Sequence, residues 1–250
     1  MANNMFCFQC EQTAGCKSCT GKAGVCGKSA DVAMLQDKLT GALIGLSRAY
    51  MGNEDLASNG TDKLVIEGLF ATLTNVNFDD DSLNKLIEKV NAEKTRFSPG
   101  CSGCPSACGK TDDYDMNKLW EANEDVRSLK SLVLFGIRGV AAYAYHADVL
   151  GYSDPDINKF FYKALFAIGM DDWGMAELLP IVMEVGEINL KCMALLDEAN
   201  TKTYGNPAPT EVSLKVEKGP FIVISGHDLY DLKKLLEQTE GKGINIYTHG

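Results

Sequence analysis

The residues best suited to chemistry in this chain are the cysteines at its start. Five of the nine cysteines lie within the first 26 residues, and the first two form a Cys-x2-Cys pair. The five are Cys7, Cys10, Cys16, Cys19 and Cys26. Thiolates held this close together need a metal to neutralise them, so the spacing indicates a metal site.

Three interpretations of this cysteine segment remain open from spacing alone. A zinc ion could bind through Cys7, Cys10, Cys16 and Cys19, although only five residues separate the two pairs, which is a tight loop for a structural zinc site. An iron–sulfur cluster tolerates irregular thiolate spacing and is favoured. In the third interpretation, some of the thiols only pack.

A second group of cysteines lies in a loop rich in proline, glycine and serine. It has the pattern Cys-x2-Cys-x3-Cys, formed by Cys101, Cys104 and Cys108. Three thiols at this spacing indicate a possible second metal or redox site. A fourth ligand could come from Cys16, Asp112, Asp113 or a substrate, and the alternative is a set of reduced structural thiols.

The elements that must position these residues are mostly helices. Apolar residues recur with a period of 3.6 between residues 29 and 203, which predicts six helices packed as a bundle. After a linker around residues 205–210, a short apolar run, an amphipathic helix and a second short run predict a βαβ unit. The fold class is therefore mainly α, with a helical bundle followed by the first βαβ unit of a parallel α/β domain. The predicted divisions are 1–28, 29–210 and 211–250.

The βαβ unit brings two histidines to one edge of its sheet. Because the strands are parallel, Ser225–His227 and Thr248–His249 are predicted to lie at the same carboxyl edge, where open α/β sheets bind ligands. The run Phe221–Ile224 is typical of a strand buried on both faces. A two-stranded sheet with one helix cannot bury itself, so we expect the 250 residues to be part of a longer protein.

Three isolated residues have mainly structural interpretations. His227 could donate a hydrogen bond or proton near a ligand, or simply cap the following helix. His146 lies within a predicted helix and is expected to pack. Cys192 is expected to be a small buried hydrophobic residue.

Composition narrows the classes of partner. The net charge of −10 argues against nucleic acid and anionic membranes, which both attract basic surfaces. The start of the chain lacks the features of a signal peptide, and no apolar run approaches the roughly 20 residues of a membrane span. These features predict a cytoplasmic protein with reduced thiols rather than disulfides.

Seven short motifs of this sequence together resemble those of one known family. They lie at residues 5–13, 24–28, 35–37, 127–130, 139–144, 226–229 and 247–250, so the resemblance runs along the whole chain. The family that they closely resemble is that of the hybrid-cluster or prismane proteins, also called hydroxylamine reductases and related to the nickel carbon monoxide dehydrogenases.

The resemblance implies two cofactors. The family motif makes Cys7, Cys10, Cys19 and Cys26 the ligands of a [4Fe–4S] cluster, with Cys16 extra to the pattern and able to replace Cys19. The Thr-His-Gly motif makes His249 the first ligand of a hybrid [4Fe-2O-2S] cluster and hence a catalytic residue. The other ligands of that cluster, glutamates and cysteines, are expected beyond residue 250.

The resemblance also implies an activity. It predicts an oxidoreductase that reduces hydroxylamine to ammonia, or nitric oxide to nitrous oxide, in nitrosative-stress defence. Electrons from a small redox protein or a reductase would pass through the [4Fe–4S] cluster to the hybrid cluster. The alternatives are an iron–sulfur electron-transfer fragment without turnover, a carbon monoxide dehydrogenase-like enzyme and a zinc-stapled helical interaction module.

Overall fold

The computed structural model describes residues 5–10, 12–74, 76–97, 112–226 and 228–249. These residues form eight α-helices and two β-strands. In chain order the elements are α1 Ala30–Tyr50, α2 Asn59–Ala71, α3 Asp80–Arg96, α4 Met116–Glu121, α5 Glu124–Val149, α6 Pro155–Ile168, α7 Met175–Tyr204, β1 Phe221–Ser225, α8 Leu229–Thr239 and β2 Asn245–His249. The mainly α fold class is confirmed. Throughout the described ranges, no helix is long and apolar enough to cross a membrane.

The chain divides into two compact units between Asn206 and Pro207. The first contains α1 to α7 and the second contains the βαβ unit. The three-part division at 1–28, 29–210 and 211–250 stays a prediction of domain organisation.

Side-chain caps define where the helices begin. Ser29 accepts a hydrogen bond from the backbone N–H of Val32 at 3.1 Å and so starts α1. Asp154 caps α6 in the same way, with Pro155 at the first helical position. These caps satisfy N–H groups that have no partner within the helix.

The helix α4 was not among the six that the apolar period predicted. It has six residues, fewer than two turns, so its sequence cannot display a helical period. Its start is set by a local signal instead, because Asp115 accepts from the backbone N–H of Asn117 at 3.0 Å.

The helix α1 is the centre of the first unit. Leu39, Leu43, Ile44 and Leu46 are fully buried in the apolar core. Gly41 lets the segment before α4 pack directly on α1, because its carbonyl accepts the Tyr114 N–H at 3.0 Å and a Cβ there would overlap the Tyr114 carbonyl.

The second unit is a βαβ unit with parallel strands. The pairing runs from Phe221 opposite Asn245 to Ser225 opposite His249. The expectation that β1 is buried on both faces is wrong for the described residues, since Phe221 is 57% and Val223 62% exposed. The physical reason is that one helix can cover only part of a two-stranded sheet.

Candidate metal centre

Two of the predicted ligands are joined by backbone hydrogen bonds. Cys7 N–H donates to the Cys19 carbonyl at 3.0 Å, and Cys19 N–H donates to the Cys7 carbonyl at 2.7 Å. Both cysteines are buried, and they pack with Met5 and Ala33 in a small apolar cluster. This bridge folds the first half of the cysteine segment, residues 5–19, back on itself.

A turn returns Cys26 toward the same cluster. Gly24 N–H donates to the Lys28 carbonyl at 2.8 Å, and Gly27, with φ of 87°, donates to the Gly24 carbonyl at 2.9 Å. A Cβ at Gly24 would lie 3.4 Å from the Cys26 sulfur and 3.2 Å from the Met5 methyl carbon. The Cys26 sulfur and Met5, which packs on Cys7 and Cys19, therefore both lie next to Gly24.

Gln9 fixes the loop between Cys7 and Cys10. Its side-chain amide donates to Asp37 Oδ1 at 2.6 Å and to the Ala33 carbonyl at 3.0 Å, both on α1. Its side-chain oxygen accepts from Lys28 Nζ at 2.7 Å. Gln9 and Lys28 are both buried, so this one amide ties the two halves of the cysteine segment to α1.

Arg138 on α5 holds the same loop from inside the bundle. Its side chain is 1% exposed, and its Nη1 donates to the Gln9 main-chain carbonyl at 3.0 Å. Its other hydrogen bonds go to the hydroxyls of Thr72 at 3.0 Å and Thr40 at 3.1 Å. Burial lowers the Arg138 pKa to about 10, while Asp37, Cys7 and Cys10 oppose that shift. The guanidinium is therefore a buried positive charge within electrostatic range of two predicted ligands.

Burial also sets the ionisation of the groups around the loop. It raises the pKa of the Cys7 thiol, while the Gln9 backbone N–H and Lys28 lower it. It raises the pKa of the Asp37 carboxyl to about 6, against the opposing effects of the Gln9 amide, Arg138 and Lys28. Without a metal, Cys7 is therefore held as the thiol at neutral pH.

The donor set fits a polynuclear cluster. Cys7, Cys10, Cys19 and Cys26 are free thiols on one short segment, and each is buried or half-buried. Four cysteine thiolates are the donor set of a [4Fe–4S] cluster, and either such a cluster or a metal ion would neutralise buried thiolates. The chemistry of these residues therefore fits the cluster that the family motif implies.

The other cysteine predictions fall partly outside the structure. Cys101, Cys104 and Cys108, and the side chain of Cys16, lie outside the described residues. The choice between Cys16 and Cys19 as the third ligand stays open. Cys192 is buried on α7, its thiol lies 3.5 Å from the Val140 carbonyl, and burial raises its pKa to about 11, as expected of a packing residue.

The predicted catalytic histidine ends β2 in the second unit. His249 pairs with Ser225 and is exposed, and Gly226 N–H donates to its carbonyl at 3.4 Å. It lines an open cavity of about 690 Å³ together with Asp228 and Asp231 at the start of α8. The predicted position of His249 at the carboxyl edge is confirmed, whereas His227 lies outside the described residues. His146 makes edge contacts with Phe70 and Tyr145, in keeping with packing.

Comparison with known proteins shows where this chain belongs. The profile described as the Prismane/CO dehydrogenase family matches residues 5–250. The chain belongs to this family. The resemblance read from the cysteine and histidine motifs is thereby confirmed.

Curated relatives of this prismane-family chain include several hydroxylamine reductases. The chain is 45% identical over 268 residues to the hydroxylamine reductase of Porphyromonas gingivalis strain W83, covering 100% of this chain and 48% of the relative. It is 45% identical over 260 residues to that of Acetivibrio thermocellus, covering 99% and 48%. It is 43% identical over 264 residues to that of Methanococcus vannielii, covering 98% and 48%. The chain spans about half the length of the curated relatives it matches.

Sequence reasoning missed the residues that hold the cysteine segment of this family member. Gln9, Lys28 and Asp37 lie inside the recognised motifs, but the spacing of the cysteines gave them no role. Arg138 is a lone charge between Val133 and Ala144 on the buried face of α5. A charge on an apolar helical face was the signal that could have identified it, since a buried charge needs a partner.

Proposed function

We propose that this chain is part of an oxidoreductase of the hydroxylamine reductase type. The observation that carries the proposal is the identity of about 45% with hydroxylamine reductases along the whole chain. The reaction would be the two-electron reduction of hydroxylamine, with two protons, to ammonia and water. Reduction of nitric oxide to nitrous oxide is the alternative reaction of the same proposal. Either reaction would defend the cytoplasm against nitrosative stress.

In this proposal the cysteine segment is the entry point for electrons. Cys7, Cys10, Cys19 and Cys26 would hold a [4Fe–4S] cluster, which supplies one-electron transfer when bound. The chain's own residues prepare the place: the Cys7–Cys19 bridge fixes two ligands, and Gln9 fixes the loop that carries Cys7 and Cys10. The electron donor would be a small soluble redox protein or a reductase.

His249 is the residue proposed for the reacting centre. Its place at the carboxyl end of β2 suits a ligand, because open α/β sheets bind ligands at the carboxyl ends of their strands. A hybrid cluster needs more ligands than this histidine, and among the described residues His249 is the one we assign to it. We therefore assign no step of the reaction to that cluster, and we expect the 250-residue chain alone to be inactive.

An activity assay tests this proposal. We expect anaerobic, hydroxylamine-dependent oxidation of reduced methyl viologen, with ammonia as product, from a longer chain that includes the part of the relatives that this chain does not cover. The same longer chain with His249→Ala should lose at least 100-fold in kcat, and the 250-residue chain should give no turnover. A longer chain that binds iron but reduces neither hydroxylamine nor nitric oxide would overturn the proposal.

Oxidation of carbon monoxide is the second candidate, because the matching family description names CO dehydrogenase. The same longer chain can be assayed for reduction of oxidised methyl viologen by carbon monoxide. Turnover with carbon monoxide and none with hydroxylamine would favour this second candidate.

A further inference from the structure

The inner side of the cysteine segment contains two buried cations that donate to uncharged groups. Lys28 is 3% and Arg138 1% exposed. Lys28 Nζ donates to the Gln9 side-chain oxygen, while Arg138 donates to the Gln9 carbonyl and to two threonine hydroxyls. Neither set of hydrogen bonds supplies a negative charge.

Buried cations of this kind imply a nearby anion. Removing a charge from water is strongly unfavourable unless an opposite charge compensates it. Asp37 is the carboxyl of this network: it accepts a hydrogen bond from the Gln9 amide and interacts electrostatically with both cations. Even when Asp37 is ionised, two positive charges face one negative charge, so the network holds surplus positive charge.

The surplus charge is placed at the predicted ligands. Gln9, which accepts from both cations, lies between Cys7 and Cys10 in the chain. Lys28 follows Cys26 by two residues, and it lies close enough to Cys7 to affect the ionisation of that thiol. Arg138 interacts electrostatically with Cys7 and Cys10. Both cations therefore donate to the one residue, Gln9, that lies between Cys7 and Cys10.

We propose that Arg138 and Lys28 are the fixed counter-charges of the cluster held by the cysteine segment, and that they raise its reduction potential. This inference rests on the proposed [4Fe–4S] cluster. Four thiolates give such a cluster a net negative charge, and reduction adds one electron from the donor without forming or breaking a bond. A buried cation stabilises the reduced form more than the oxidised form, so it favours uptake of the electron. Arg138 and Lys28 are thus positioning residues: they act on electron entry through the cluster and are not its ligands.

The test is the midpoint potential of the cluster in the full chain, titrated with dithionite at fixed pH and followed by electron paramagnetic resonance. We expect Arg138→Met and Lys28→Met each to shift the oxidised-to-reduced ratio at a given potential about tenfold toward the oxidised form. For one electron that is a fall of about 59 mV. Arg138→Lys keeps the charge and should stay close to the unmodified protein.

A matched control separates charge near the cluster from burial of any lysine. Lys130 on α5 is also buried and donates to the Met170 carbonyl at 2.7 Å, but its electrostatic neighbours are Asp171 and Arg48 rather than cysteines. Lys130→Met should leave the potential unchanged.

The outcomes distinguish this inference from the proposed function. Potentials of Lys28→Met and Arg138→Met equal to that of the unmodified protein would overturn the inference alone. If Arg138→Met does not fold, the midpoint potentials of Lys28→Met and Lys130→Met are compared instead. A lower potential in Lys28→Met alone supports the inference, and an unchanged potential in Lys28→Met overturns it. An unmodified chain without iron would overturn the cluster itself.

Discussion

At the scale of single residues, the centre depends on side chains that are not ligands. Gln9 joins Lys28 to Asp37 through one amide, and Arg138 holds the Gln9 carbonyl. A motif of cysteines names the ligands, but the buried polar residues decide how those ligands are held.

Asp37 gives the first prediction at this scale. Its pKa of about 6 in the folded chain lies above the ordinary 3.8, so the folded state binds this proton more tightly. The free energy of unfolding should therefore fall as the pH rises from about 4 to 6, and it should remain at this lower value above pH 6. Asp37→Asn keeps an oxygen that can accept from the Gln9 amide and removes the half-buried charge. We expect it to stabilise the cluster-free chain at pH 8 by on the order of 1–3 kcal/mol, and to have little effect near pH 4.

Urea unfolding at the two pH values checks this expectation. Asp197→Asn on the exposed face of α7 is the control, and it should leave the free energy of unfolding unchanged at both pH values. A loss of stability in Asp37→Asn at pH 8 would contradict the account and would mean that Arg138 and Lys28 require the Asp37 charge even without a cluster.

At the scale of elements, the packing of α1 depends on a glycine. The Gly41 carbonyl accepts from Tyr114, and there is no room for a Cβ beneath the Tyr114 carbonyl. We expect Gly41→Ala to force the segment before α4 away from α1 and to destabilise the chain by about 1–3 kcal/mol.

Gly139→Ala on α5 is the matched control for this prediction. A Cβ at Gly139 meets nothing within 4 Å among the described residues, so helix propensity alone should stabilise that variant by about 0.5–1 kcal/mol. Equal effects of the two substitutions in urea unfolding would contradict the close approach at Gly41.

The sequence was informative where structure is local. The apolar period predicted the long helices, and the parallel crossover predicted that Ser225 and His249 share an edge. It could not predict α4, which is too short for a period. Nor could it pair Arg138 with Gln9, because that contact joins residues 129 positions apart and depends on how α5 packs.

At the scale of the whole molecule, the chain provides two chemical parts in two units. The first unit holds the cysteine segment against α1 and α5, and the second presents His249 at the edge of a sheet. The apolar faces of that sheet remain exposed in the described residues, with Phe221 and Val223 as the clearest cases. The proposed enzyme would join electron entry in one unit to substrate reduction at the other.

The central claim is that four cysteines of the first 26 residues hold one [4Fe–4S] cluster. The measurement is iron, zinc and sulfide content, with electron paramagnetic resonance of the dithionite-reduced chain purified without oxygen. We predict about four iron and four sulfide per chain. Their loss is expected in the serine variants of Cys7, Cys10, Cys19 and Cys26, and their retention in Cys16→Ser and Cys192→Ser. Loss of iron and sulfide in Cys16→Ser, with their retention in Cys19→Ser, would make Cys16 the third ligand in place of Cys19. Zinc without iron, or iron retained in all four ligand variants, would contradict the account.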